Sequence, residues 1–145
     1  MILLWTTPKK FHLTSWLISK FIGAKYSHTA IVFRMKETGQ DIVFHATRKG
    51  VYPVLLDDFR AKNKVIESKI ILGEKREKKA LHFCIEHLGT KYGFSTILSI
   101  LFNIKFSDGN KRLICSELVA KALDLNLENL DQIDPKELIE ILDEV

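Results

Sequence analysis

The chain reads as α+β, an antiparallel sheet with helices packed beside it. Three observations lead there. Two β-branched and aromatic runs flank a Gly-containing turn at residues 36–40, the pattern of a hairpin. Helical spacing occurs before and after a strand-rich middle, rather than alternating with single strands. And 145 residues, 46% hydrophobic and 28% charged, suffice for one core but not for two comfortable ones. A single domain over residues 1–145 is expected.

Residues 2–6 predict a first strand. Pro8 and two lysines then lead into a helix over 11–22, where Leu13, Trp16, Leu17 and Phe21 recur at helical spacing and Gly23 is the stop. Residues 27–34 are too rich in β-branched and aromatic side chains for a helix, and 41–46 return as the partner strand. Residues 51–55 and 65–72 predict two more strands, with Asp57, Asp58, Phe59 and Arg60 on the connection, where the two adjacent acids read as a solvated turn. A helix over 74–88 carries Glu74 and Glu77 in its first turn and a buried stripe of Ala80, Leu81, Cys84, Ile85 and Leu88, closed by Gly89. A buried helix at 94–102, a polar loop at 107–110, and a helix from Cys115 follow. The last helix begins at Asp134-Pro135-Lys136-Glu137, an N-cap, a proline at the first helical position and an acid at the third.

Composition narrows the function. The longest near-apolar stretch, 94–104, is about half of the roughly 20 residues that a membrane span needs. No signal peptide is read at the start, and two cysteines make no disulfide framework, so a reducing, cytoplasmic setting is expected. Net charge is +4, but residues 124–145 hold eight acids and one lysine. That segment carries −7 and leaves +11 on the rest. No Arg/Lys stripe interleaved with aromatics marks a nucleic-acid surface, and no Gly-rich phosphate loop is present. His82 and Glu86 share a helix face, but no His-Glu-x-x-His pattern accompanies them, so no metal or cofactor is expected. Oligomeric state is not legible.

Cys115 is the residue with most chemical content. A helix start leaves backbone N–H groups unpaired and a positive local potential, both of which favour a thiolate. The bland alternative is a small buried core residue. Cys84, mid-helix on the apolar stripe, reads as core. His28 opens the first hairpin strand and His45 lies on its partner. A hairpin centred between Lys36 and Glu37 would set them directly opposite. One centred between Thr38 and Gly39 would offset them by four residues, roughly 13 Å. Only the first, or a bulge restoring it, is expected to let His45 hydrogen-bond His28.

Four segments carry a resemblance: Tyr26-Ser27-His28-Thr29-Ala30-Ile31-Val32; Val43-Phe44-His45-Ala46 with Gly50-Val51; Lys91-Tyr92-Gly93-Phe94; and Ile114-Cys115-Ser116-Glu117-Leu118-Val119. In this order they resemble the circularly permuted branch of NlpC-type papain-like thiol hydrolases, the YiiX-like proteins most, with the lecithin retinol acyltransferase-like enzymes more distant. The resemblance covers most of the chain, including Asp134-Pro135. It implies a permuted papain-like fold with Cys115 as nucleophile, His28 as general base and His45 as the third residue that holds the imidazole's tautomer. Many YiiX-like sequences carry Glu at that third place. Gly93 also stands where Asp is expected after the tyrosine.

Such a site would cleave an amide or ester through an acyl-enzyme, with the Cys115 N–H as one oxyanion donor. Tyr26, Tyr92 and Ser116 are the candidate substrate contacts, a tyrosine hydroxyl being able to supply the second donor. Ser116 and Glu117 also suit the cap of the helix start. Peptide, peptidoglycan-type or lipid acyl substrates all fit, and the apolar segment 94–102 could line an acyl groove. An acyltransferase differs only in the acceptor. The other reading is a non-catalytic lipid- or protein-binding module on the same fold. A low-pKa thiol, alkylated near pH 6, would separate the two.

Overall fold

The computed structural model describes residues 1–91, 114–125 and 133–144. The expected helix at 94–102 and loop at 107–110 lie outside them. Strands β1 (Ile2–Pro8), β2 (His28–Arg34), β3 (Asp41–Thr47), β4 (Gly50–Leu55) and β5 (Asn63–Ile70) form one antiparallel sheet in the order β4-β3-β2-β1-β5. Helices α1 (Leu13–Ile22), α2 (Leu56–Lys62), α3 (Glu74–Glu86), α4 (Cys115–Ala122) and α5 (Pro135–Glu144) complete the described part. The α+β expectation holds.

Central strand β2 is apolar on both faces because both faces are covered. Ile31 and Phe33 join Leu3, Trp5 and Phe44 in the larger core, which α3, α4 and α5 close with Cys84, Val119, Leu138 and Leu142. Ala30 and Val32 pack the other way, with Leu4, Val43 and Phe59. The expected turn at Asp57 and Asp58 is corrected, although both acids are exposed. Residues 56–62 are a helix, with Asp57 and Asp58 in its first turn where the dipole favours them, and Phe59 pinned to the sheet at 2% exposure.

Helix α3 is also corrected. Only Ala80 and Cys84 of the expected stripe are buried, while Ile85 and Leu88 stand exposed and the helix ends at Glu86. The loop beyond it hydrogen-bonds to the start of β4: the Val51 N–H donates to the Thr90 carbonyl at 3.1 Å and the Gly89 N–H to the Val51 carbonyl at 2.8 Å. Gly50 permits this approach. Its φ is +112°, and a Cβ there would lie 3.0 Å from the Thr90 oxygen.

Helix α5 starts as read. Asp134 Oδ1 accepts the N–H groups of Lys136 (2.6 Å) and Glu137 (2.9 Å), and Glu137 Oε2 accepts the Asp134 N–H at 3.0 Å. The Trp5 indole N–H donates to the Pro135 carbonyl at 2.8 Å, fastening α5 to the sheet. Helix α1 has an unexpected orientation: Leu13, Trp16, Leu17 and Phe21 face outward, and Ile22 alone is buried.

Candidate active site

The site grows from a split in the sheet. Strands β2 and β3 pair from Arg34↔Asp41 to Ile31↔Phe44 and no further. Beyond that point each stays paired to its other neighbour: β2 to β1 as far as Thr6↔His28, β3 to β4 as far as Thr47↔Gly50. Three residues of each strand therefore end without a partner across the gap. The gap holds His28 and His45.

Their register is one the sequence reading did not consider. Carried onward, Ile31↔Phe44 sets His28 opposite Thr47, so His45 is a diagonal neighbour, two residues along on the same face. Diagonal pairs lie about 7–8 Å apart, within reach of two imidazole rings. His28 Nε2 and His45 Nδ1 are 3.1 Å apart, with the rings edge-on at 74°. The expectation that only the directly opposed register would allow this bond is thus corrected. Phe59 stands edge-on to His45 with ring centroids 5.1 Å apart, and Tyr52 lies 5.0 Å from it on the β4 side.

Both imidazoles are held neutral. Burial, then the charge of His45, lowers the His28 pKa to about 3; burial, then Lys62, lowers that of His45 to about 4. His28 keeps an edge on solvent. His45 Nε2 is buried with no hydrogen-bond partner among the described residues. With one bond between them, the pair has two neutral arrangements. When His45 Nδ1 accepts, His28 carries its proton on Nε2 and its Nδ1 lone pair is free to act as a base.

Cys115 begins α4, which packs on β2 and β3. By strand alternation Thr29 lies on the α4 side of the sheet and His28 on the Phe59 side. Thr29 is the residue that reaches the sulfur. Its N–H and hydroxyl, with the N–H groups of Ser116 and Cys115, pull the thiol pKa down, but burial outweighs them and pushes it up. The Thr29 hydroxyl stops short of a formed hydrogen bond and has no other partner among the described residues. Cys115 is 4% exposed. The resting thiol is thus neutral, against the low-pKa thiol expected from helix position: that argument counted the helix field and left out desolvation. Among the described residues no hydrogen bond joins His28 to Cys115; the two are linked through Thr29.

A cleft of about 440 Å³ opens along the split. His28 and His45 line it, with Ser27, Tyr52 and the basic pair Arg48 and Lys49, and α1 contributes Thr14 and Ser15 to the opposite wall. Arg48 donates to Thr14 Oγ1 at 3.4 Å across it. Cys115 does not line this cleft. Neither do Tyr26 and Ser116. Tyr26 is buried in the larger core, its pKa raised by burial and then by Glu67, Asp134, Glu140 and Asp143. Ser116 is fully buried and donates its hydroxyl to the Ile133 carbonyl at 2.5 Å, tying α4 to the start of α5. Tyr92 lies outside the described residues.

Glu117 completes the α4 start. Its carboxylate accepts the Ile114 N–H at 3.4 Å and Lys121 Nζ at 2.6 Å, a buried acid satisfied from both sides. Sequence reasoning missed Thr29, Arg48 and Lys49. Thr29 could have been found by alternation, since the residue after a cleft-facing histidine must face the other way. Among the described residues no group of three or more His, Cys, Asp or Glu side chains could hold a metal, and no helix is long and apolar enough to cross a membrane.

Residues 4–136 match a family model described as "Permuted papain-like amidase enzyme, YaeF/YiiX, C92 family". No curated protein matches the chain.

Proposed function

The chain belongs to the permuted papain-like amidases of the YaeF/YiiX, C92 family, a cysteine-hydrolase class, and on that premise we propose that Cys115 takes an acyl group from an amide or ester substrate with His28 as its base and His45 holding His28. The observation that carries this is the 3.1 Å His28–His45 bond beside the strand that Cys115 packs against. It commits His28 Nε2 to His45 and leaves Nδ1 for the thiol proton.

The steps follow from that assignment. Bound substrate draws the thiol and imidazole together; contacts of this kind are often long in free enzymes and tighten in the complex. His28 Nδ1 takes the thiol proton as Sγ attacks the carbonyl carbon. The oxyanion collects at the α4 N-terminus, where the Cys115 N–H points and the helix field is positive. Collapse expels the amine, which leaves with the proton from His28. Water then attacks the thioester, gives its proton to His28, and releases the acid and the thiol. If an alcohol or amine replaces water, the same site is an acyltransferase. Arg48 and Lys49 suit a substrate that lays an anionic group, such as a peptide carboxylate or a lipid phosphate, in the cleft.

Intact-protein mass spectrometry after incubation with acyl-donor esters and amides tests the reading. The wild type should gain the acyl mass, and Cys115→Ala should not. Equal labelling of both, or none of either across peptide and lipid donors, would sink it. That second outcome is what the non-catalytic binding module predicts, and the burial of Cys115 away from the cleft is the one feature in its favour.

A further inference from the structure

Helix α1 is inside out for a soluble helix. At 100° per residue, Leu13, Trp16, Leu17, Lys20 and Phe21 fall on one arc, while Thr14, Ser15, Ile18 and Ile22 fall on the other. The inner arc turns Ile18 and Ile22 to the core and Thr14 and Ser15 to the cleft. The apolar outer arc faces solvent: Leu13 is 59% exposed, Trp16 47% and Phe21 60%, and Phe11 just before the helix is 76% exposed. No described element covers this face. It is one contiguous patch of large side chains, of the kind that marks an interaction site.

The charges around it are of one sign. Residues 1–36 contain six Lys and Arg and no Asp or Glu. Lys9 and Lys10 precede the helix, Lys25 follows it, all three exposed, and Lys20 sits within the apolar arc with its ammonium 5.9 Å from the Trp16 ring centre. A second copy of the chain is a poor fit, because a two-fold contact would bring this cationic face against itself. A bilayer with anionic headgroups fits both parts. Aromatic and leucine side chains enter the headgroup boundary, the lysines meet phosphates, and Trp takes its usual interfacial place.

We propose that the outer face of α1, with its flanking lysines, docks the protein on an anionic phospholipid bilayer. Docking needs no turnover, so it stands or falls apart from the catalytic reading. If that reading also holds, docking sets the 440 Å³ cleft one helix away from the lipid surface, on the protein side of α1.

Flotation of the full chain with phosphatidylcholine vesicles, with and without phosphatidylglycerol, is the test, read together with tryptophan emission. Trp5 is fully buried, so a shift reports Trp16. Vesicles containing phosphatidylglycerol should bind the protein, shift its emission to the blue and shield it from acrylamide, and added salt should reverse all three. Leu17→Gln with Phe21→Gln should weaken binding more than tenfold, and Lys9→Gln with Lys10→Gln by about fivefold per lysine. Both pairs are exposed, so circular dichroism should match the wild type. The proposal is overturned by absent binding, by binding indifferent to lipid charge, or by Leu17→Gln/Phe21→Gln binding as the wild type does. A wild-type dimer that this double variant splits would assign the face to a second copy instead, and equally overturn it.

Discussion

His28 and His45 set the terms at the scale of single residues. Both titrate near 6.5 in the unfolded chain and at about 3 and about 4 in the folded one. Between those values the unfolded state holds more protons, so the folded state keeps its full advantage above about pH 6.5 and loses it as pH falls toward 4. Each site contributes up to about 1.4 kcal/mol per pH unit across that window. Urea midpoints taken at steps from about pH 7 to pH 4 should therefore fall steeply in the wild type and less so in His28→Gln with His45→Gln. A parallel decline would mean that the rings are not held neutral. In catalysis, His28→Ala should slow acylation by about 10²–10⁴-fold, the usual contribution of a positioned base. His45→Ala should slow it less, and His45→Gln should recover part of that loss because an amide can still meet His28 Nε2. Burial governs the thiols. Cys84 and Cys115 are both enclosed, and burial pushes the Cys84 pKa to about 12. Ellman's reagent should label neither quickly in the native protein, and denaturant below the unfolding midpoint should speed labelling by opening the fold locally. Rapid labelling of Cys115 at neutral pH without denaturant would contradict a resting neutral thiol.

At the scale of elements, the sequence was most legible where a local rule decides the outcome. The Asp134-Pro135-Lys136-Glu137 cap formed as read, bond for bond, because every partner lies within one turn. Asp134→Ala should cost about 1 kcal/mol, visible as a lower melting temperature, through loss of two accepted N–H bonds. Legibility failed where tertiary partners decide. Asp57 and Asp58 look like a solvated turn, yet Phe59 beside them finds a pocket between β2 and β3, and that burial makes the segment a helix. Phe59→Ala should destabilise the fold by about 3–5 kcal/mol and loosen the His45 ring it braces, so stability and acylation should fall together. The α1 spacing was read correctly as helical, but periodicity does not say whether an apolar arc faces in or out. The α3 stripe shows the same ambiguity: Ile85 and Leu88 share its periodicity and remain exposed.

For the whole molecule, the order of elements and the antiparallel sheet were legible because the hairpin and the strand-rich middle have strong local signatures. The order of strands in the sheet was not. Placing β1 between β2 and β5 depends on which edges pair over long sequence separations, and no single segment encodes that. The candidate site was half legible. Cys115, His28 and His45 stood out by chemistry, but the register joining the two histidines and the Thr29 link to the sulfur come from how β2 and β3 part company.

That parting also has a dynamic side. A ladder that ends three residues before the base leaves His28, Thr29 and Ala30 fastened along one edge only, like the open teeth of a zipper. Backbone N–H groups alternate between neighbours along a strand, so the amides of this stretch that point across the gap should exchange with solvent sooner than those of Ile31 and Phe33. Gentle warming should widen that difference well before the fold gives way, because the open edge yields first.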